Sequence, residues 1–208
     1  YGLSLGEGPV DEQAPLRPQN CYARSKAATE FMLTDVYPKT GQVIIARPFN
    51  HLGAGQDERF VMASLAAQIA RIEAGLQEPV VRVGNTDAAR DFVDVNDVCD
   101  AYIHLLAHAP AIRKRDVFNI STGQARKVQE LFTLLIGASK ARFAVEVDPA
   151  RLRPNDIPVA LGVNRKIVEL TGWTPGRLLS ETVQELLDGA REKLRSNQQG
   201  VGKSSSPN

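Results

Sequence analysis

Tyr22-Ala23-Arg24-Ser25-Lys26 opens a stretch of helical character from about Asn20 to Val36, and Val43-Ile44-Ile45-Ala46 follows it. Pro38 and Gly41 close the helix, because one lacks an amide proton and the other favours a turn. The apolar run within Gln42 to Ala46 has no polar interruption. Such a run fits a parallel strand buried on both faces rather than a strand with one wet side. Ahead of the helix, Tyr1-Gly2 leads into a Pro-, Glu- and Gly-rich stretch that reads as loop as far as Asn20.

The same alternation continues outward. A loop with Pro48, Gly53 and Gly55 precedes a second predicted helix over Val61 to Ala74. Val80 to Val83 predicts a strand that turns at Gly84-Asn85, and Asp91 to Val93 predicts another. Helical spacing returns from about Val95 to Leu106, and Val117 to Ile120 reads as a strand bounded by Gly123. Val128, Leu131, Phe132 and Leu135 share one helix face, and Phe143 to Val147 alternates like a half-buried strand. Leu179, Val183, Leu186, Leu187, Ala190 and Leu194 mark a last apolar helix face. From Ser196 to Asn208 the only large apolar residue is Val201, which predicts a disordered tail over 196–208. Strands alternating with helices give an α/β fold with a largely parallel sheet, and no internal repeat is present.

Bulk properties exclude several function classes. The 208 residues suffice for one large domain or two small ones, and 43% hydrophobic with 24% charged residues is ordinary for a chain that buries a core. Lysine plus arginine is 25 against 24 acidic residues, a net charge of +1, so nothing electrostatic favours nucleic acid or an acidic membrane. No apolar run approaches the ~20 residues that span a bilayer. No charged-then-apolar leader opens the chain. Cys21 and Cys99 fall in helical patterns, with neither metal-ligand spacing nor a disulfide framework. A reducing cytoplasm is the default expectation, and no metal is expected.

Tyr22 and Lys26 carry the chemistry. Four residues apart on a helix, a phenol and an ammonium share one face. A phenol with a pKa near ~10 exchanges protons poorly at neutral pH, and a neighbouring positive charge favours its phenolate. Such a tyrosine can protonate a carbonyl oxygen as hydride reaches its carbon, or run the reverse reaction. The bland alternative is an inert helix surface, since Tyr-x-x-x-Lys is a short motif. The flanking small residues Ala23, Ser25, Ala27 and Ala28 fit either reading.

Five segments in order carry a resemblance. Tyr22 to Lys26, after Tyr1-Gly2 and the Glu12 to Pro18 loop, resembles the active-site helix of the extended short-chain dehydrogenase/reductase family. Arg47-Pro48-Phe49-Asn50-His51-Leu52-Gly53-Ala54-Gly55-Gln56 resembles the loop after the sixth strand in members that process GDP-linked 6-deoxyhexoses. Arg90-Asp91-Phe92-Val93-Asp94-Val95-Asn96-Asp97-Val98, Arg151 to Asp156 and Thr171-Gly172-Trp173-Thr174-Pro175 follow. The resemblance runs from Tyr1 to about Leu194. It implies a Rossmann-like fold with a smaller substrate-binding lobe: Rossmann remainder at about 1–50 and 91–124, lobe at about 51–90 and 125–195. It also implies NAD(P)H-dependent reduction of the 4-keto group of a GDP-linked 4-keto-6-deoxy-mannose to GDP-D-rhamnose. The alternatives are a dehydratase of GDP-mannose or another nucleotide-sugar epimerase or dehydratase, and a non-catalytic nucleotide-sugar-binding fragment.

Roles follow from the same resemblance. Tyr22 is the general acid at the C4 oxygen. Lys26 holds the nicotinamide ribose of NADP (or NAD) and tunes the tyrosine, and His51 contacts the cofactor unless it is a structural histidine. Asn50 hydrogen-bonds the sugar or its phosphate, or else is a turn residue. Arg90 and Arg153 grip the diphosphate through their planar forks, or else form salt bridges, Arg90 with Asp91 or Asp94. Asp156 accepts from the nucleotide ribose, or else caps a helix or forms a turn. Phe60 and Val61 open a helix whose first amides face the nucleotide, and Trp173 belongs to the core. A homodimer through the Tyr–Lys helix is implied, with Phe31 and Val36 serving either that face or the core. The Gly-rich dinucleotide fingerprint and the βαβ units that carry it are not found. The front of the parallel sheet is thus expected to be missing, and the chain to be part of a longer enzyme.

Overall fold

The computed structural model describes residues 1–36, 41–152 and 157–202, with side chains described as far as 198. In chain order the elements are α1 (Cys21–Val36), β1 (Val43–Pro48), β2 (Asn50–Leu52), α2 (Val61–Glu73), β3 (Val80–Val83), β4 (Ala89–Asp94) and α3 (Val95–Ala107). There follow β5 (Arg115–Ile120), β6 (Ala125–Lys127), α4 (Val128–Ala138), β7 (Ala144–Val147), β8 (Val159–Ala160), α5 (Arg165–Thr171) and α6 (Leu179–Gly202). The chain divides into two interleaved units. One comprises Tyr1–His51, Ala88–Arg126 and Asp156–Gly176, and the other Leu52–Asp87, Lys127–Asn155 and Arg177–Asn208. The stretch through α5 and Trp173 therefore belongs with the first unit, not with the lobe assigned to it from sequence.

In the first unit, β1 and β5 run parallel in register from Val43 opposite Arg115 to Pro48 opposite Ile120. Among the described residues β1 pairs with β5 alone. Only Val43 of β1 is fully buried, so the strand expected to be covered on both faces is covered in part. A second sheet has the order β2-β4-β6, with β8 parallel to β4. Val93, Val98, Ala101, Leu105, Ile112, Phe118, Ile120, Ile167 and Trp173 form the core, and Ile44 and Ala46 pack against it. Trp173 is core, as its sequence context suggests, and its indole N–H donates to the Asp97 carbonyl at 3.1 Å. α3 starts where it does because the Asp94 carboxylate accepts from the Asn96 N–H at 2.7 Å. The opening loop holds a 3₁₀ turn over Leu3–Glu7, where the buried Ser4 hydroxyl donates to the Pro15 carbonyl at 2.8 Å.

In the second unit α2 is the central element. It is buried at every position from Met62 to Ala70 and again at Ile72. Ala63, Ala66, Ala67 and Ala70 let other backbones approach, and α2 packs against α4, α6 and β3. The one amide side chain on its buried surface, Gln68, is satisfied. It accepts from the Arg82 N–H at 2.8 Å and donates to the Arg82 carbonyl at 3.1 Å, so it mimics a strand neighbour for β3. β7 pairs in parallel with β3, yet all four of its residues are exposed, so the expected half-burial is not found. The apolar alternation reflects strand propensity there, not a covered face.

α6 continues past Ser196 to Gly202, into the stretch expected to be tail. Loss of apolar residues removes a reason to pack, but Ser196-Asn197-Gln198 contains no helix breaker. Propagation costs little once a helix exists. Residues 203–208 lie outside the described residues.

Arg191 on α6 grips Glu73 at the end of α2 through Nε to Oε2 at 2.7 Å and Nη2 to Oε1 at 2.8 Å. The Lys140 N–H at 2.7 Å and the Ser139 hydroxyl at 3.2 Å also donate to that carboxylate. The Arg191 guanidinium is the main cause that holds the Glu73 carboxyl below the usual carboxylate range. A depressed folded pKa contributes stability above the unfolded value of about 4.3, lost as pH falls through the folded value. Arg191→Met is therefore expected to cost about 2 kcal/mol at neutral pH, the scale of hydrogen bonds to a charged group. Melts between neutrality and acid should show the gap to the unchanged chain closing as pH falls below that range. A gap independent of pH would mean that packing, not charge, links the two helices.

Candidate active site

Asn20 sets the start of α1: its side-chain oxygen accepts from the Ala23 N–H at 2.8 Å, and its carbonyl accepts from the Arg24 N–H at 2.9 Å. Tyr22 and Lys26 thus sit in the first turns, four residues apart. The Lys26 ammonium lies 5.8 Å from the centroid of the Tyr22 ring, and Tyr22 is 71% exposed. Phenol and ammonium face solvent together, as a pair that must meet a ligand requires. Thr34 is the helix's one fully buried residue, and Phe31, Met32 and Val36 are exposed. Phe31 and Val36 therefore do not belong to the core of this chain.

The parallel strands β1 and β5 end level with one another, and the Phe49 N–H donates to the Ile120 carbonyl at 2.9 Å. Asn50 and His51 follow at once on β2, both exposed. His51 Nδ1 is 3.1 Å from the Phe49 carbonyl, a contact that fixes the orientation of the exposed ring. Arg90 on β4 is half-buried, and its Nη1 donates to the carbonyls of Ala89 at 2.8 Å and Ile157 at 2.7 Å. Val61 opens α2 in the second unit; Phe60 before it has extended backbone and gives no side-chain cap to the first-turn amides. Arg153 and Asp156 lie outside the described residues.

Two features escaped the sequence reading. Asp91, considered there only as a partner for Arg90, is fully buried. Its Oδ1 accepts from the Thr122 N–H and hydroxyl, each at 2.7 Å, and its Oδ2 from the N–H groups of Gly123 at 3.0 Å and Gly162 at 3.3 Å. Burial pushes its carboxyl above the usual range, against the pull of these donors. Gly162 must be glycine: a β-carbon there would lie 2.6 Å from the Phe49 ring and 2.7 Å from the Ser121 side chain. The legible signal was an acid directly before the apolar pair Phe92-Val93 in a strand that is buried from that acid onward. The second feature is a polar network in which Arg47 pairs with Glu30 of α1 and lies over the Tyr1 ring. Tyr1 donates to Asn119 at 2.5 Å.

Among the described residues, no group of three or more His, Cys, Asp or Glu could hold a metal ion. No helix among them is long and apolar enough to cross a membrane.

Known proteins resemble this chain in sequence and fold. GDP-6-deoxy-D-mannose reductase of Pseudomonas aeruginosa is 37% identical over 188 residues, covering 90% of this chain and 61% of that protein. GDP-6-deoxy-D-talose 4-dehydrogenase of Aggregatibacter actinomycetemcomitans is 28% identical, covering 78% of this chain and 52% of its own length. The solved structure of RMD from Pseudomonas aeruginosa complexed with NADPH superposes with a TM-score of 0.81 at 35% identity, over 89% of this chain and 61% of that one. The chain thus spans roughly three-fifths of the reductase it matches. The family model for GDP-mannose 4,6 dehydratase matches residues 1–186. With its interleaved Rossmann-like unit and helical lobe, the chain belongs to that family, within the extended short-chain dehydrogenase/reductases.

Proposed function

We propose that the protein containing this chain reduces the 4-keto group of GDP-4-keto-6-deoxy-D-mannose to give GDP-D-rhamnose. The observation that carries the reading is the solvent-facing Tyr22–Lys26 pair at the head of α1, in a chain 37% identical to a GDP-6-deoxy-D-mannose reductase. A nicotinamide dinucleotide, NADP or NAD, supplies the hydride when bound. The exposed ammonium of Lys26 and the exposed ring of His51 suit its ribose hydroxyls and polar edge. Tyr22 gives its phenolic proton to the C4 oxygen as C4 gains hydride, so the carbonyl becomes a secondary alcohol. Lys26 stabilises the phenolate left behind, and solvent returns the proton.

Asn50, Val61 and Arg90 are assigned to the GDP-sugar, together with Arg153 and Asp156. The half-buried Arg90 guanidinium is oriented by the Ala89 and Ile157 carbonyls, and the uncapped first-turn amides at Val61 suit a nucleotide's acceptors. The exposed Phe31, Met32 and Val36 support a homodimer through α1. The free, exposed cysteines Cys21 and Cys99 suit the reducing cytoplasm. The dehydratase reading is favoured by the description of the family model, and a dehydratase would yield the keto sugar instead of consuming it.

A thermal melt of the chain with excess GDP-mannose tests the substrate class, with UDP-glucose as control. At 100 times its dissociation constant a ligand adds ~2.7 kcal/mol to the native state. A shift with the GDP sugar alone is expected, and a cooperative melt shifted by neither sugar would count against the assignment.

A further inference from the structure

We propose that Glu30 and Arg47 are positioning residues that set the rotation and height of the Tyr22–Lys26 helix. Tyr22, Lys26, Glu30 and Thr34 succeed one another at four-residue spacing along one side of α1. Exposure falls along that row, from Tyr22 at 71% to Thr34 at 5%. Apolar packing does little to hold this helix, whose one buried residue is a threonine.

The ion pair compensates. Arg47 Nε donates to Glu30 Oε2 at 3.0 Å while Nη2 donates to Oε1, a two-pronged contact that fixes orientation as well as distance. The two side chains are only 15% and 16% exposed, where water screens the pair least. Arg47 is itself held. It lies on β1 opposite Asn119 of β5, with its guanidinium 4.7 Å from the Tyr1 ring centroid. Asn119 is fully buried, accepts from the Tyr1 hydroxyl, and donates from its side chain to the Val10 carbonyl at 3.0 Å and the Val163 carbonyl at 3.2 Å. Its own N–H donates to the Glu12 carboxylate at 2.8 Å. The opening loop and the segment before α5 thus converge on Asn119, the strand neighbour of Arg47, and the opening loop also reaches the Arg47 guanidinium itself through the Tyr1 ring and the Glu12 carbonyl. Through Arg47 they grip the helix one turn beyond Lys26.

This role rests on the reductase reading above. The test compares Glu30→Gln, Arg47→Lys and the double variant with Tyr22→Phe in the intact protein. Glutamine keeps the shape and one acceptor of Glu30, so the variant folds while losing the charge that locks the fork. The expected result is a fall in kcat of up to about 10²-fold, with the KM for the GDP sugar little changed. The pH profile of kcat should be displaced, because the helix no longer holds phenol and ammonium in one place. The double variant should cost no more than the worse single one. An unchanged kcat and pH profile in Glu30→Gln, with Tyr22→Phe inactive, would overturn the positioning role and leave the reductase reading intact. Full activity in Tyr22→Phe would overturn both.

Discussion

Tyr22→Phe is expected to lower kcat for reduction by the intact protein about 10²- to 10⁴-fold, the usual worth of a positioned acid or base. The substitution removes one hydroxyl and leaves the ring. Tyr22 is 71% exposed and contributes little to the core, so the melt should move by less than about 0.5 kcal/mol. That separation is what makes the result informative, since a lost rate with an unmoved melt identifies chemistry. Product formation would be followed together with nicotinamide oxidation, so that a slow binding step is not mistaken for a slow proton transfer. Rates close to those of the unchanged protein would remove Tyr22 from the mechanism.

Asp91→Ala should act the other way, on stability first. Three backbone N–H groups and one hydroxyl converge on this carboxylate from Thr122, Gly123 and Gly162. Each buried donor left without an acceptor costs ~1–3 kcal/mol. Some recover by admitting water, and the charge no longer has to be desolvated, so a net loss of about 3 kcal/mol is expected. Against a total stability of ~5–15 kcal/mol, that loss is large. Asp91→Asn discriminates further. Both carboxylate oxygens accept two bonds, so an amide in either orientation turns its NH₂ toward at least one backbone N–H, which cannot accept. Asparagine should therefore fare nearly as badly as alanine, in denaturant melts at neutral pH. An asparagine variant as stable as the unchanged chain would mean that the carboxylate is not the acceptor for both pairs.

Long periodic segments were legible in the sequence. The helices beginning near Cys21, Val61, Val95, Val128 and Leu179, and the strands at Val43, Val80, Asp91 and Val117, were all anticipated, because a period needs several repeats to be seen. The short pieces β2, β6, β8 and α5 were not. Two or three residues carry no period, and these strands exist because β4 offers them backbone partners. The end of α6 and the exposure of β7 were misread for one shared reason: apolar pattern reports burial and backbone state together, and here the two part company. At the candidate site, Tyr22 and Lys26 could be proposed from sequence because their spacing is local to one helix. The service of Asp91 to Thr122, Gly123 and Gly162, and of Arg47 to Glu30, depends on contacts between distant stretches, which no spacing rule encodes.

The interleaving of the two units bears on how the protein is made. The first unit is assembled from three stretches, the last ending at Gly176, and the second from three, the last beginning at Arg177. Neither is a contiguous piece that a ribosome could release and let fold before the next emerges. At ~5–20 residues per second the early strands wait several seconds for their late partners. Through that interval β1 and the apolar face of α2 are the surfaces most in need of shielding by chaperones. A truncation before α5 would strand both units at once.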